Sequence, residues 1–214
     1  MAGGKGLRMN SEIPKQFMKL KGIPVLMHTL DAFFNTDHLI EIILVLPKHQ
    51  VHFWQRLIKE YSYKTPHRIA LGGETRFQSV KNGLSLIHGP GLVAVHDGVR
   101  PLVTEKVIAT SYQLAMDKKA AVTVVPSKDS IRVIKEDGLS MAVDRNKYMQ
   151  VQTPQTFDVD ALKNAYQLEE KITYTDDASV FEANKGIVYL LEGDYSNIKI
   201  TTPEDIVVAE VLMS

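Results

Sequence analysis

The sequence predicts an α/β fold: a doubly wound, mostly parallel sheet with an inserted β-hairpin arm. Three observations predict it. Short apolar runs, most of them rich in β-branched residues, alternate with stretches of helical periodicity. The links between them are short, which suits parallel strands joined by right-handed helical crossovers. The rhythm breaks once, after residue 126, where two short alternating segments flank Asp137-Gly138, a hairpin-turn signal.

Strands are expected at residues 40–47, 67–71, 92–96 and 121–125, each bounded by Gly or Pro. Between them, Leu26, Leu30 and Phe33 or Phe34 share one helical stripe. Phe53, Leu57 and Tyr61 share a second, and Phe77, Val80, Leu84 and Ile87 a third. In the arm, at about residues 127–150, Ile131 and Val133 alternate with polar neighbours, as do Leu139, Met141 and Val143. A lone hairpin is marginal in water, so its apolar face needs a surface, either its own domain or a second subunit. Beyond the arm come a helix near residues 158–167, another opening at Thr175, and a strand at residues 187–191. The last helix opens at Thr202-Pro203-Glu204-Asp205, with an N-cap, a first-turn proline and acids at the positive end. No linker or repeat interrupts the chain, so residues 1–214 read as one domain carrying a dimerisation arm.

The start is unusual for this class. A doubly wound sheet normally begins with a strand that feeds its first Gly-rich loop. This sequence opens in the loop, so either its start is trimmed or misassigned, or another segment covers the gap, or one central sheet position is empty.

Composition narrows the function. The 214 residues are 44% hydrophobic, and 25 basic residues balance 25 acidic ones. A nucleic-acid binder usually carries a basic excess, which is absent. Zero cysteines exclude a Cys nucleophile, a Cys-type zinc site and an iron–sulfur cluster. No apolar run nears the roughly 20 residues of a membrane span, and no signal-peptide core is seen. A soluble, cytoplasmic protein is expected.

Three segments carry candidate chemistry. Gly3-Gly4-Lys5-Gly6-Leu7-Arg8-Met9 lets backbone N–H groups approach a phosphate, although alone it fits a flexible tail equally well. It lacks the Gly-Lys-Ser/Thr of a Walker A loop and the third Gly of the dinucleotide fingerprint. Arg8 and Lys15, in Pro14-Lys15-Gln16, add two cations that suit a triphosphate. Gly72-Gly73-Glu74-Thr75-Arg76-Phe77-Gln78-Ser79 follows a strand and opens a helix, with Thr75 and Gln78 spaced as a capping box. It fits an ordinary helix start or a loop that reads a base edge with Ser79. His96-Asp97-Gly98-Val99-Arg100-Pro101 ends an apolar strand, where open α/β sheets bind ligands. Asp97 there suits Mg²⁺ or a substrate hydroxyl, or else serves as a helix N-cap beside a surface Arg100. His49 and His52 lie three apart on a helix but lack a third ligand, so they read as a solvated face rather than zinc.

These pieces, in order with Asp144-Arg145-Asn146, Gln152-Thr153-Pro154-Gln155, Thr175-Asp176-Asp177-Ala178-Ser179 and Asn197-Ile198-Lys199-Ile200-Thr201, resemble the 2-C-methyl-D-erythritol 4-phosphate cytidylyltransferases. The resemblance runs from Ala2 to the C-terminal helix. It implies a Rossmann-like nucleotidyltransferase that joins CTP to a sugar-alcohol phosphate, releasing pyrophosphate, in non-mevalonate isoprenoid synthesis. By position, Arg8 and Lys15 would stabilise the transition state, with Arg145 and Lys199 as further catalytic cations. Ala2, Gly3, Gly4, Gly6, Gly73, Glu74 and Ser79 would contact CTP. Asp97, Arg145, Thr153 and Lys199 would hold the sugar phosphate, with Arg145 and Thr153 reaching the site of a homodimer partner. Mg²⁺ is the expected cofactor, with Asp97 its candidate ligand. The nucleophile is a phosphate oxygen, already anionic, so no general base is required. A ribitol-5-phosphate cytidylyltransferase of the same fold is the nearest alternative, and a catalytically silent nucleotide-binding protein the other.

Overall fold

The computed structural model describes residues 1–2 and 13–213. A small hairpin of β1 (Lys19–Leu20) and β2 (Ile23–Pro24) leads into α1 (Val25–Thr36). There follow β3 (Ile43–Leu46), α2 (Val51–Glu60), β4 (Arg68–Leu71), α3 (Arg76–Ser85) and β5 (Leu92–Val95). Then come α4 (Glu105–Lys118), β6 (Ala120–Pro126), the arm strands β7 (Arg132–Ile134) and β8 (Ser140–Ala142), and β9 (Met149–Asp158). The chain closes with α5 (Val159–Ala165), α6 (Asp177–Ala183), β10 (Tyr189–Glu192) and α7 (Pro203–Leu212).

The alternation read from the sequence is present, with one change of direction. The four-stranded sheet has the order β10-β6-β9-β5. β10 runs parallel to β6, but β9 runs antiparallel to both of its neighbours, β6 and β5. The hairpin arm explains the reversal. The chain leaves β6 into the arm and returns directly alongside it, so no helical crossover is available to restore the direction. The return leg of the arm merges into β9 at Met149, which trims the arm expected at about residues 127–150.

Helix starts follow local chemistry. Thr75 caps α3 by accepting from the Gln78 amide. Asp176 and Ser179 form a reciprocal capping box on α6, and Thr202 and Asp205 do so on α7 with Pro203 as its first residue. One core packs Phe77, Val122, Val124, Phe157, Leu162 and Phe181 between the four-stranded sheet and its helices. Another packs Phe17, Leu26, Leu44, Leu46 and Trp54 around β3.

The expected gap lies between β3 and β5. β3 pairs in parallel only with β4, as a separate two-stranded sheet. Ile43 and Val45 turn their backbone groups away from β4, toward β5. Among the described residues, only Met1 and Ala2 stand between the two edges. The Met1 nitrogen donates to His96 O, Gly98 N donates to Met1 O at 2.7 Å, and Ala2 N donates to Val45 O at 3.1 Å. That pattern runs parallel to both strands at their carboxyl ends. Behind Met1 an apolar slot of about 480 Å³ opens between the strands, lined by Ile43, Val45, Val80, Leu84, Val93 and Val95. Tyr112 also lines the slot, and burial pushes its phenol up to about 12.

Candidate active site

A cleft of about 1070 Å³ lies at the carboxyl ends of β3, β4 and β5. Its walls bring together Ala2, Lys15, Gly73, Glu74, Arg76, Ser79, Asp97 and Lys199, residues spread across the whole chain. One wall is the loop from β4 to α3. Gly73 N donates to Ser79 Oγ at 3.0 Å, and Glu74 N donates to Gln78 Oε1 at 3.0 Å. The expected capping pair is therefore half formed: Thr75 Oγ1 accepts from Gln78 N, but the Gln78 side chain reaches Glu74 rather than Thr75. A Cβ at Gly73 would collide with Gln78 Cβ, so the close turn requires glycine.

The floor is Asp97, one residue past the buried His96. Lys199 Nζ lies 3.0 Å from Asp97 Oδ2, and Arg100 Nε donates to it at 3.3 Å. Burial alone would raise the Asp97 carboxyl, but these two cations outweigh it and hold the group well below the usual carboxylate range. The Asp97 amide donates to Thr153 Oγ1 at 3.1 Å, and the same hydroxyl bonds His96 Nδ1 at 3.1 Å. His96 Nε2 meets Arg100 O at 3.1 Å, so Nε2 carries the proton and Nδ1 accepts from Thr153. Burial lowers the His96 pKa to about 3, which keeps the ring neutral. Asn197 braces the corner from behind: its carbonyl accepts from Arg100 Nη1 at 2.7 Å, and its Nδ2 donates to Thr153 O at 2.9 Å.

Lys15 opens a 3-10 turn, Lys15–Phe17, behind Pro14. The buried Gln16 fixes that turn by donating to Ala2 O at 2.8 Å and to Gln50 Oε1 at 2.6 Å. One cleft thus holds a backbone-lined turn, a cation on the opposite wall, and a carboxylate clasped by two more cations.

A family profile described as 2-C-methyl-D-erythritol 4-phosphate cytidylyltransferase matches residues 1–214. The chain belongs to that family. A protein of that description from Bacteroides fragilis is 53% identical over 213 residues, covering 100% of this chain and 97% of the relative. One from Bacteroides thetaiotaomicron is 52% identical over the same length. The crystal structure of 4-diphosphocytidyl-2C-methyl-D-erythritol synthase from Anaerococcus prevotii superposes with a TM-score of 0.84 at 33% identity, covering 99% of this chain and 92% of that one.

Within this family frame the expected site residues sort by position. Ala2, Lys15, Gly73, Glu74, Ser79, Asp97 and Lys199 all line the cleft. Gly3, Gly4, Gly6 and Arg8 lie outside the described residues. Thr153 does not reach out to a partner's site as expected: it is buried beneath Asp97 of its own chain and meets that cleft through the Asp97 backbone. Arg145 is not brought to the cleft of its own chain. It sits exposed at the base of the arm, with Nη1 donating to Lys128 O at 2.6 Å. His49 borders the cleft, and no group of three or more His, Cys, Asp or Glu gathers as a metal cage among the described residues. Sequence reasoning assigned no role to Gln16, Arg76, Arg100, Asp177 or Asn197. Each stood in or beside a recognised motif, which was the only signal pointing to them.

Proposed function

We propose that this chain transfers the cytidylyl group of CTP to 2-C-methyl-D-erythritol 4-phosphate, forming the CDP-alcohol and releasing pyrophosphate. The observation that carries the reading is the Asp97 carboxylate, clasped by Lys199 and Arg100 on the floor of a cleft whose walls carry Lys15 and the Gly72-Gly73 turn. A phosphate oxygen of the sugar phosphate attacks the α-phosphorus of CTP, one P–O bond forms, and the bond to pyrophosphate breaks. Both reactants are anions, so the barrier lies in charge and alignment. Lys15 stabilises the charge that builds at the α-phosphate, with Arg8 as its expected companion. Ser79 and the backbone of the loop hold the nucleotide. Lys199 binds the incoming phosphate, and Asp97 accepts hydrogen bonds from the sugar hydroxyls.

The donor set fits Mg²⁺ carried in with the triphosphate rather than caged by protein. Mg²⁺ usually takes one or two carboxylates and fills its shell with substrate phosphates and water. Asp97 is the carboxylate on the cleft floor that would hold it. When bound, the ion would neutralise phosphate charge.

The reading includes a homodimer. β7 and β8 are exposed along their whole length, leaving Val133, Ile134, Leu139 and Met141 uncovered. Of the two surfaces open to the arm, a twofold mate is therefore favoured over its own domain, and it would bring Arg145 to the neighbouring cleft. No helix among the described residues is long and apolar enough to cross a membrane, which agrees with a cytoplasmic enzyme.

Pyrophosphate release from CTP, measured separately with 2-C-methyl-D-erythritol 4-phosphate and with ribitol 5-phosphate, tests the assignment. Turnover with the first and little with the second is expected. The reverse order selects the ribitol enzyme, and binding of CTP without turnover of either selects a silent nucleotide-binding protein.

A further inference from the structure

The motif Thr175-Asp176-Asp177-Ala178-Ser179 holds a buried carboxylate to which the proposed reaction gives no task. Asp177 has 0% exposure. Its two oxygens take both terminal nitrogens of Arg76, Nη1 to Oδ1 at 3.0 Å and Nη2 to Oδ2. Tyr166 donates its hydroxyl to the same Oδ1 at 2.6 Å. Burial and then the Asp177 charge push the Tyr166 phenol far above its ordinary range, so it stays a donor. Arg76 is the first residue of α3, directly after the turn that lines the cleft, and it borders the cleft itself. Phe77, the next residue, packs on Tyr166 with ring centroids 4.6 Å apart. The start of α3 is thus fastened twice to the α5–α6 layer, by charge and by stacking.

The other end of the fastening reaches the floor of the site. Gln155 of β9 donates to Asp176 Oδ2 at 2.9 Å and accepts from Ala178 N at 2.9 Å. Gln155 stands opposite Val95 of β5, two residues before Asp97. A continuous line of polar contacts therefore runs from the strand pair that carries Asp97, through the start of α6, to the start of α3. The turn itself belongs to the β3–β4 sheet, which has no direct ladder to β5. A buried ion pair is a weak source of stability, because desolvation offsets most of the Coulomb gain, but its forked geometry is specific.

We propose that Asp177 is a positioning residue for nucleotide recognition, acting through Arg76 to hold residues 72–75 at a set distance from Asp97 and Lys199. The inference rests on the cytidylyl transfer proposed above. Its ligand is the nucleoside triphosphate, not the sugar phosphate.

Steady-state kinetics of the full-length enzyme separate this role from a merely structural one. CTP is varied at saturating 2-C-methyl-D-erythritol 4-phosphate, and then the reverse. Arg76→Lys keeps the charge but loses the fork, and Asp177→Asn keeps the shape but loses the charge. Each is expected to raise KM for CTP about tenfold or more, to leave KM for the sugar phosphate within about twofold, and to narrow the preference for CTP over UTP. The double variant Arg76→Lys/Asp177→Asn should be no worse than the worse single variant, since both remove one contact. An unchanged KM for CTP in folded variants, an equal rise in both KM values, or strictly additive effects would each overturn the proposal. Should Asp177→Asn fail to fold, Arg76→Lys and Arg76→Gln decide the matter, because the Arg76 side chain is 35% exposed. Wild-type protein that turns over neither sugar phosphate overturns the reaction, not the clamp. Calorimetric CTP affinity of the same variants then decides the clamp, with about a tenfold loss supporting it and no loss overturning it.

Discussion

At the scale of single residues, Asp97 is set by neighbours on every side, and two buried bases titrate in an accessible range: the Met1 amine, which burial lowers to about 6, and His96. In the unfolded chain the His96 pKa is about 6.5, whereas burial brings it to about 3 in the fold. The unfolded state therefore binds more protons between those values, and stability rises with pH across that window. Unfolding in urea at pH 7 and pH 5 should show the wild type losing up to about 1.4 kcal/mol per pH unit below 6.5. His96→Gln should lose clearly less over the same interval. Asp97, held low by Lys199 and Arg100, keeps its full stabilising charge across that interval and loses it only below the ordinary carboxylate range, while the Met1 amine titrates in wild type and variant alike, so the difference between the two proteins reports His96. If the Lys15 charge acts on the transition state, as proposed, Lys15→Ala should lower kcat by about 100- to 1,000-fold while changing CTP affinity far less. A KM effect with intact kcat would remove Lys15 from catalysis. The sequence made Lys15, Asp97 and Lys199 legible because each stands inside a recognisable motif. It hid the partners of Arg76, which are 101 positions away and fixed by folding rather than by spacing.

At the scale of elements, the apolar runs and helical stripes located β3, β4, β5, β6 and the first three helices to within a few residues. β9 was not legible as a strand. It carries Gln150, Gln152, Thr153, Gln155 and Thr156, with Pro154 in the middle, a pattern that speaks against a central strand. It is central all the same because its polar groups are satisfied inside: Thr156 donates to Ser111 at 2.9 Å and Thr123 donates to Pro154 O at 2.7 Å. α4 went unread for a different reason, since two of its four buried positions, Ser111 and Ala115, are small and weaken the apolar stripe of Glu105–Lys118. The arm, by contrast, announced itself through Asp137-Gly138, and its exposed apolar face makes a prediction. Two inactive variants, Lys15→Ala and Arg145→Ala, are mixed under conditions of subunit exchange. If each site takes Lys15 from one chain and Arg145 from the other, about half the dimers are mixed and each has one intact site. Roughly a quarter of wild-type activity should return. A mixture that stays inactive despite demonstrated exchange would place both residues in one subunit's site. Gly186→Ala tests packing alone: its Cβ would strike the Phe181 ring, so a loss of about 1–3 kcal/mol is expected with KM values untouched.

At the scale of the whole molecule, the alternating order of elements disclosed the α/β class. What it could not disclose is that Met1 and Ala2 bridge the two strand edges. An apolar extension of about 5–8 residues ahead of Met1 would meet a slot lined by apolar side chains of β3 and β5. It should raise the melting temperature, whereas a Gly-Ser extension of equal length should not. No gain from the apolar version would show that the slot does not accept a strand. The same slot sets how the molecule moves. The nucleotide turn stands on one plate, β3–β4, and Asp97 stands on the other, and near the cleft Met1 and Ala2 weld the plates while the Arg76 clamp ties them. Such a joint should breathe, opening from the unwelded end, and isotope exchange can time it. The β3 amides should trade hydrogen for deuterium well ahead of those of β6, which is flanked on both sides, and bound CTP, gripping both plates at once, should slow the β3 amides most.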